Sequence, residues 1–222
     1  GQTDIPTTLS TVGIKTLEGC WKREGIDHLA VNGKEKVKKK HHNSKTCRLI
    51  NRATEEITNE RSLSEPLAKL CYHGGRCESY QFGGSEIGKW IDADLVSAYV
   101  VAMACLGVPE WAKAFDTLLL DDFTLRDYGI AQVRFRFPRG TRFPCLPVDV
   151  DGNLIYPLEG ISFCASPELL LAREMGADLE ILKGSVVPAD ANVRPFRGFA
   201  EFTLGFGSGN SLRKSSRCWR LF

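Results

Sequence analysis

The chain has 222 residues, of which 43% are hydrophobic and 25% are charged, and its formal net charge is +2. This length and composition suffice for one or two globular domains with a real core, and they exclude a chain that is disordered throughout. The small net charge neither favours nor excludes a nucleic-acid partner, because such proteins often concentrate positive charge on one face.

The eight cysteines are scattered, without a Cys-x-x-Cys pair or a His-x-x-x-His partner. The sequence therefore predicts free thiols in a reducing compartment, not a zinc site or a dense disulfide framework. No apolar stretch approaches the roughly 20 residues that cross a bilayer, so we expect a soluble, intracellular protein with no membrane partner. A glycine at position 1 in place of methionine indicates an internal part of a longer protein or a processed product.

The first 46 residues are polar and offer little material for a core. They contain a basic run from Lys34 to Lys40, which is typical of a solvated loop and is otherwise a contact for phosphates. From residue 46 to residue 70, the helical spacing of apolar residues predicts one or two helices that break near Pro66. The residues with this spacing are Leu49, Ala53, Ile57, Leu63, Leu67 and Leu70.

Two adjacent glycines, Gly74 and Gly75, then predict a turn or a close approach of the backbone to another group. Strands are expected at 77–81 and 89–95. The second of these leads directly into residues 97–106, which are apolar on nearly every side and predict a buried helix.

The second half of the chain favours strands. They are expected at 131–137, 153–157 and 179–182, with an extension of the sheet edge at 186–188. Between them a helix is predicted to begin with Ser166 as its N-cap and Pro167 at its first position, and to end at Gly176. The glycine- and serine-rich tail from about residue 205 has no periodicity, and we expect poor order there.

Asp92 and Asp94 are two residues apart, so in a strand their side chains would point to the same face. Two like charges at the edge of a core need a cation, a basic side chain or water between them, and a metal ion fits this need best. The alternative is that both aspartates lie in an exposed loop. The apolar neighbours Trp90, Ile91 and Leu95 speak against that alternative.

The sequence from Asp94 to Tyr99, Asp-Leu-Val-Ser-Ala-Tyr, matches the first polymerase motif of family B enzymes. Upstream of it, Tyr72-His73-Gly74-Gly75-Arg76 resembles the Tyr-x-Gly-Gly element of protein-primed polymerases. With further collinear matches, among them Arg194-Pro195-Phe196-Arg197-Gly198-Phe199, the resemblance covers roughly residues 66–203. The chain thus resembles an internal part of a protein-primed family B DNA polymerase.

This resemblance implies an α+β fold: an incomplete, palm-like mixed sheet with packed helices, plus a small α/β insertion subdomain. Four segments are expected. Residues 1–70 form a helical, basic connection from the exonuclease side, and 71–106 are the palm segment. Residues 107–190 are the insertion that grips DNA and a terminal protein, and 191–222 are either the start of the fingers or a disordered or out-of-frame tail.

The resemblance also implies the chemistry. In such enzymes two Mg²⁺ ions stabilise the attacking 3′-oxygen and the pyrophosphate leaving group. Asp94 would be the catalytic carboxylate and a metal ligand, together with the backbone carbonyl of Leu95 and with Asp92 as a further candidate. Ser97 would hold the triphosphate of the dNTP, and the ring of Tyr99 would exclude a ribose 2′-hydroxyl. For Tyr99, a half-buried core tyrosine is the alternative.

DNA contacts follow from the same resemblance. Tyr72, Gly74, Gly75 and Arg76 would contact template phosphates, because glycine lets backbone N–H groups approach closely and arginine adds charge. The insertion also contains a basic cluster: Arg134 and Arg136 on one strand face, with Arg139 and Arg142 nearby. This cluster is either a second set of phosphate contacts or a solvated strand face. The expected partners are primer-template DNA, dNTP and a terminal protein.

The sequence departs from the family pattern in two ways. Val100 stands where the motif usually has proline, and none of the later polymerase motifs, including the second metal-binding carboxylate, occurs in the 222 residues. We therefore expect a DNA-directed DNA polymerase in which this chain alone is inactive. The alternatives are an inactive, nucleic-acid-binding remnant of a palm and, with less support, a small metal-dependent hydrolase that uses Asp92 and Asp94.

Overall fold

The computed structural model describes residues 8–43, 47–79, 83–84, 88, 91, 94–95 and 97–205. The helices in this part are α1 (Leu9–Glu24), α2 (His28–Asn32), α3 (Asn59–Cys71), α4 (Ala98–Ala104), α5 (Ser166–Glu174) and α6 (Arg197–Thr203). The strands are β1 (Lys34–Asn43), β2 (Arg48–Ile57), β3 (Val108–Pro109), β4 (Phe115–Asp116), β5 (Tyr128–Arg136), β6 (Val148–Val150), β7 (Asn153–Ile155), β8 (Glu159–Ala165), β9 (Asp178–Val187) and β10 (Ala189–Asp190). The predicted α+β class is confirmed. In the described ranges, no helix has the length and apolar character needed to cross a membrane.

The chain divides into two compact units, each built from separate stretches of sequence. The first unit consists of residues 1–32, 94–108 and 190–222, and the second of residues 33–93 and 109–189. This division follows contacts within each unit and assigns no role to a segment. The connection, palm, insertion and finger segments expected from the sequence stay predictions.

The first unit is helical in its described part, with α6 packing against both α1 and α4. Helix α1 begins where the Thr8 hydroxyl accepts the Thr11 N–H, and it ends at Gly25, whose φ of 68° only glycine adopts readily. Trp21 is buried, and its indole N–H donates to the carbonyl of Pro195 at 2.5 Å. The N-terminal stretch thus contributes core residues, although its polar composition did not predict them.

The second unit is built on an antiparallel sheet of four strands in the order β4-β9-β5-β8. Helices α3 and α5 pack on β5 and β8. Strand β5 alternates between buried and more exposed residues, which is the pattern of a strand with one face toward a core. Its buried members Ala131, Val133 and Phe135 join Leu146, Cys164 and Leu169 in the hydrophobic core.

Seven cysteines lie in the described residues, and all are free thiols, as predicted. Three of them, Cys71, Cys145 and Cys164, belong to the second unit and are shielded from water. Desolvation by burial raises the pKa of Cys71 and of Cys145 from 9.0 to about 11, and it raises the pKa of Cys164 further. These thiols therefore stay protonated near neutral pH and pack as small apolar groups.

The prediction of helices from residue 46 to residue 70 is wrong for its first half. The structure has strand β2 there, followed by a single helix, α3, with Pro66 inside it. Leu49, Ala53 and Ile57 are each four residues apart. This spacing places side chains on one face of a helix, and it also places them on one face of a strand, where every second side chain points to the same side. The basic run is likewise not a loop, since it forms β1.

The predictions between residues 77 and 106 are wrong in part. Residues 77–79 are not a strand, and 80–81 lie outside the described residues. Residues 89–90 and 92–93 of the second predicted strand also lie outside them. Ile91, Asp94 and Leu95 are exposed and belong to no strand. Helix α4 forms at the expected place, but Ala104 is its one residue recorded as buried, so the helix is not enclosed by core on all sides.

In the second half of the chain most strand predictions are confirmed, with 179–182 and 186–188 joined into the single strand β9. Strands β6 and β7 are joined by a turn, in which the Asp149 carboxylate accepts the Gly152 N–H at 2.7 Å. The predicted N-cap of α5 is one residue off. The helix includes Ser166, and Ala165 is the N-cap, with its N–H bonded to the Glu168 carboxylate at 3.0 Å. The tail from residue 206 lies outside the described residues.

The buried thiols predict how stability depends on pH. Above pH 9.0 the thiols of the unfolded chain lose their protons, whereas Cys71 and Cys145 keep theirs up to about 11 in the folded chain. The free energy of unfolding should therefore fall as pH rises through this window, and be unaffected by these groups below it. Urea unfolding in the presence of reductant, at about pH 8 and about pH 10.5, measures the fall.

Cys71→Ala is the matched control for this experiment. The variant keeps a small apolar side chain and loses one titrating group, so its unfolding free energy should depend less steeply on pH than that of the parent chain. An identical pH dependence in the two proteins would contradict the assignment.

Candidate active site

The segment that begins at Asp94 presents its side chains to solvent. Asp94 is exposed, Leu95 is 71% exposed and Tyr99 is 81% exposed. The Leu95 carbonyl accepts the Ala98 N–H at 3.3 Å, which closes a turn into α4. Tyr99 is thus not a core residue, and the alternative of a half-buried tyrosine is wrong. The first unit brings the carboxylate of Asp94, the carbonyl of Leu95 and the ring of Tyr99 to one accessible stretch of chain.

Ser97 carries the unusual backbone of this stretch. Its φ and ψ are 54° and 37°, in the left-handed region that residues with a side chain rarely adopt. Such a conformation costs about 1–2 kcal/mol, so the surrounding turn must hold it in place. The Ser97 hydroxyl makes no capping hydrogen bond to α4, which leaves it available to a ligand. Backbone outliers of this kind cluster at functional sites.

The donors present here suit a hard divalent cation. A carboxylate and a backbone carbonyl are the oxygen ligands that Mg²⁺ prefers. A carbonyl oxygen has two lone pairs, so the Leu95 carbonyl has one left after accepting the Ala98 N–H. Within the described ranges, no group of three histidine, cysteine, aspartate or glutamate side chains is placed to hold a metal. Asp92, the other predicted ligand, lies outside those ranges.

The Tyr-x-Gly-Gly element belongs to the second unit and directly follows α3. Tyr72 is 87% exposed, and the chain from there to residue 79 is extended without a turn. Gly74 does not have a positive φ, and a Cβ built on it would meet no described atom within 4 Å. Of the two alternatives predicted for the double glycine, the turn is therefore wrong, and a close approach of the backbone to another group stays a prediction. Nothing within the described residues requires glycine at position 74.

His73 ties this element to α5. Its Nε2 atom lies 2.9 Å from Oε1 of Glu168, and its Nδ1 atom lies 3.0 Å from the carbonyl of Gly74. The other carboxylate oxygen of Glu168 accepts the Ala165 N–H at the start of α5. The sequence predicted the start of α5 at Ser166 and Pro167 but not this partner. A Ser-Pro-Glu signature predicts a helix start without indicating which distant residue will bind the glutamate.

Arg76 makes several contacts inside the second unit. Its Nη1 atom donates to the Pro144 carbonyl at 2.7 Å, its Nη2 atom lies 2.5 Å from the Glu78 carboxylate, and its guanidinium stacks 4.1 Å from the centroid of the Tyr156 ring. These contacts hold residues 72–79, the passage after α3, against the segments around Pro144 and Tyr156. Arg76 therefore has a positioning role here, and contact between its side chain and template phosphates stays a prediction.

The two arginines on β5 lie on one face, as predicted, but carboxylates neutralise them. Arg134 pairs with Glu180, and Arg136 donates from Nε to Glu159 at 2.9 Å. Together with Asp178 these side chains line a shallow groove of about 530 Å³. A phosphate backbone approaching this face would meet three carboxylates beside two arginines. The structure thus resembles the solvated alternative more closely than a basic stripe.

The chain is 35% identical over 136 residues, which are 61% of its length, to the primer-independent DNA polymerase PolB of Escherichia coli. The matched stretch is 16% of that polymerase, so the chain spans less than a fifth of the curated relative it matches. No family model matches the chain, and no solved structure matches it. The similarity supports the resemblance to a DNA polymerase that the two motifs indicate. It does not support priming by a protein, which stays a prediction.

The strained backbone at Ser97 predicts opposite effects for two small substitutions. Ser97→Gly should raise the free energy of unfolding by about 0.5–1 kcal/mol, because glycine adopts a positive φ without the steric cost. Ser97→Ala keeps that cost and loses the hydroxyl, so it should not stabilise the protein. Urea unfolding curves of the two variants measure the difference. Equal unfolding midpoints for Ser97→Gly and Ser97→Ala would show that position 97 is not strained.

Proposed function

We propose that this chain is part of a family B DNA-directed DNA polymerase, and that it supplies the first catalytic carboxylate of the complete enzyme. One observation carries the proposal: the similarity to a DNA polymerase agrees with two polymerase motifs that occur in the expected order. The exposure of Asp94, Leu95 and Tyr99 on one stretch is compatible with a site that receives its ligands from solution.

In this proposal Asp94 and the Leu95 carbonyl would hold a divalent ion where an incoming dNTP binds. Bound Mg²⁺ would supply charge stabilisation for the attacking oxygen and for the leaving pyrophosphate. Ser97, whose hydroxyl makes no capping hydrogen bond to α4, would donate to the triphosphate. Tyr99 places a ring against the sugar, where a ribose 2′-hydroxyl would collide with it, so deoxyribonucleotides are selected. Asp92 is a further candidate ligand.

The template side of the site is assigned to the extended passage after α3. At Gly74 the backbone is open to solvent and free of crowding, so a phosphate can approach its N–H group. Tyr72 offers an exposed ring beside it. Gly75 is included by its place in the motif. Arg76 keeps this passage in position through its contacts with Glu78 and Pro144, and its charge adds to the field that a phosphate meets.

The motifs and the Escherichia coli relative both suggest how DNA synthesis begins in the complete enzyme. A protein-primed polymerase begins on a hydroxyl of a terminal protein, and the relative is named a primer-independent polymerase. Both modes dispense with a nucleic-acid primer. We infer that the complete enzyme begins synthesis in this way, and a terminal protein is the proposed hydroxyl donor.

A second candidate function is nucleic-acid binding without nucleotide incorporation. Asp94 is the one carboxylate that the first polymerase motif supplies, and a single carboxylate is a weak anchor for two metal ions. This is the inactive-remnant alternative. Metal-dependent nucleotide binding at Asp94 is expected from the polymerase proposal and distinguishes it from the remnant.

Asp94→Asn should abolish the nucleotide site while leaving the fold intact. Replacing an exposed carboxylate with an amide keeps the size and removes the charge that holds the cation. We expect binding of a fluorescent dATP analogue by the 222-residue chain to require Mg²⁺ and to weaken at least about tenfold in the variant. Asp121→Asn removes a comparable exposed carboxylate, whose side chain is 96% exposed, and should bind the analogue like the parent chain.

Activity is tested by replacing the matched stretch of the Escherichia coli polymerase with the corresponding stretch of this chain. We expect the chimera to incorporate dNTPs and the Asp94→Asn chimera to lose about 100-fold or more of that rate. Nucleotide binding that is independent of both Mg²⁺ and Asp94 would refute the polymerase proposal. An inactive chimera that is folded and still binds DNA would favour the remnant.

Gly74→Ala tests the template contact. An added methyl group meets open space in the described fold, so the free energy of unfolding should change by less than about 0.5 kcal/mol. The same methyl group would block a phosphate from the backbone, so affinity for a primer-template duplex should fall several-fold. Fluorescence anisotropy and urea unfolding provide the two readouts. Unchanged affinity, with unchanged stability, would remove Gly74 from the DNA contact.

A further inference from the structure

Strands β1 and β2 form a long hairpin that stands apart in the second unit. They pair in ten consecutive positions, from Lys34 opposite Ile57 to Asn43 opposite Arg48. In the described chain the two strands form a sheet of their own, to which no third strand is added. Ten residues in a strand extend about 33 Å, which equals the length of β9, the longest strand of the four-stranded sheet. A ribbon of this kind leaves both faces available to a partner.

The charges of the hairpin are separated along its length. Residues 36–43 and 47–53 contain six lysines and arginines and no aspartate or glutamate. We call these residues the basic arm. The carboxylates of the hairpin lie at its base, where Glu55 pairs with Lys34 at 3.5 Å and Glu56 pairs with Lys39 at 2.5 Å. The distal part therefore carries a concentrated positive charge that the net charge of the whole chain conceals.

The geometry of the arm puts this charge in the open. Lys36, Lys38 and Lys40 are exposed and, because side chains alternate along a strand, they point to the same face about 7 Å apart. On the other face Lys39 lies opposite position 52 in the backbone register, and its ammonium is 2.5 Å from the Glu56 carboxylate. A two-stranded hairpin is marginally stable by itself in water. An anionic partner would relieve the repulsion among Lys36, Lys38 and Lys40.

Three properties of the arm select duplex DNA among anionic partners. A two-stranded ribbon, with strands about 4.8 Å apart, fits the roughly 12 Å major groove of B-form DNA. The corresponding groove of an RNA duplex is deep and narrow, which excludes it. Binding of single strands relies on aromatic rings that stack on bases. The arm contains no phenylalanine, tyrosine or tryptophan.

We propose that the basic arm is a DNA-binding element that lies in the major groove of a duplex, with its lysines on the phosphates that flank the groove. The inference rests on the proposed polymerase function, to which it adds a duplex contact outside the two polymerase motifs. Contacts of this kind fix position without reading sequence, since lysines on phosphates carry no base information. The arm therefore holds the duplex in place and leaves nucleotide selection to the residues around Asp94.

The test compares two triple variants with equal loss of charge. Arm variant Lys36→Gln, Lys38→Gln, Lys40→Gln removes one face of the arm, and the control Lys15→Gln, Lys22→Gln, Lys113→Gln removes three exposed lysines elsewhere. Anisotropy of a labelled 20-base-pair duplex, measured over a range of salt concentrations, gives the affinity and its salt dependence. Removing three phosphate contacts should reduce the slope of log K against log[salt] by about 2.7 and the affinity on the order of 100-fold at low salt. The control should remain near the parent chain.

A third variant, Lys36→Arg, Lys38→Arg, Lys40→Arg, keeps the charge of the arm and should keep the affinity for the duplex. It separates a loss of charge from an effect of the substitutions on folding. Equal losses in the two glutamine variants would overturn the proposal, as would binding to single-stranded DNA, duplex RNA or an acidic protein that is as tight as binding to duplex DNA. The polymerase proposal is tested independently of the arm. Asp94→Asn should retain duplex binding, and the arm variant should retain Mg²⁺-dependent binding of the nucleotide analogue.

Discussion

The second unit depends on a single carboxylate that is used at both of its oxygens. Glu168 accepts the N–H of Ala165 at the start of α5 and, with its other oxygen, contacts His73 in the passage after α3. A helix start that would otherwise have an unpaired N–H group is thereby joined to the extended segment that carries the double glycine. The same carboxylate lies near the buried thiols of Cys71, Cys145 and Cys164, where it disfavours their ionisation.

The two polymerase motifs are presented in different ways. The passage from Tyr72 to Arg76 is fastened to its unit by a histidine, a guanidinium and their partners. The stretch from Asp94 to Tyr99 is exposed, and it is shaped by a strained turn at Ser97. In the proposed function Asp94 binds a cation, and its exposed position at a turn is compatible with that role. The passage is proposed to contact a nucleic-acid backbone, a role that benefits from being fixed along its length.

Sequence patterns predicted the parts of this fold in which one rule dominates. Alternation identified β5, because one of its faces is buried against the core, and β7 was identified as a strand, whereas its pairing with β6 was not predicted. The rules failed where two periodicities coincide. Apolar residues four apart are compatible with a helix and with a strand, and in β2 the exposed Leu49 and Ile57 gave no burial signal to decide between them.

The site was predictable in its chemistry but not in its contacts. The residue types from Asp94 to Tyr99 identified oxygen donors, a hydroxyl and a ring at suitable spacing, and the structure presents those in the described positions together. No local pattern indicates that Arg76 will meet Pro144 and Tyr156, or that His73 will meet Glu168, since these partners are brought together by the packing of the sheet and helices. The charge of the arm was visible in the sequence, whereas its extension as a ribbon was not.

The interleaving of the two units has a consequence for synthesis on the ribosome. The sheet-containing unit is complete once Ala189 has emerged, while the helical unit still lacks its last segment. Trp21 must wait for Pro195, its partner 174 residues later, and at about 5–20 residues per second this delay is on the order of 10–30 s. During that interval the side of α1 that packs on α6 has no native partner, so α1 stays exposed on the nascent chain until the residues around Pro195 have emerged.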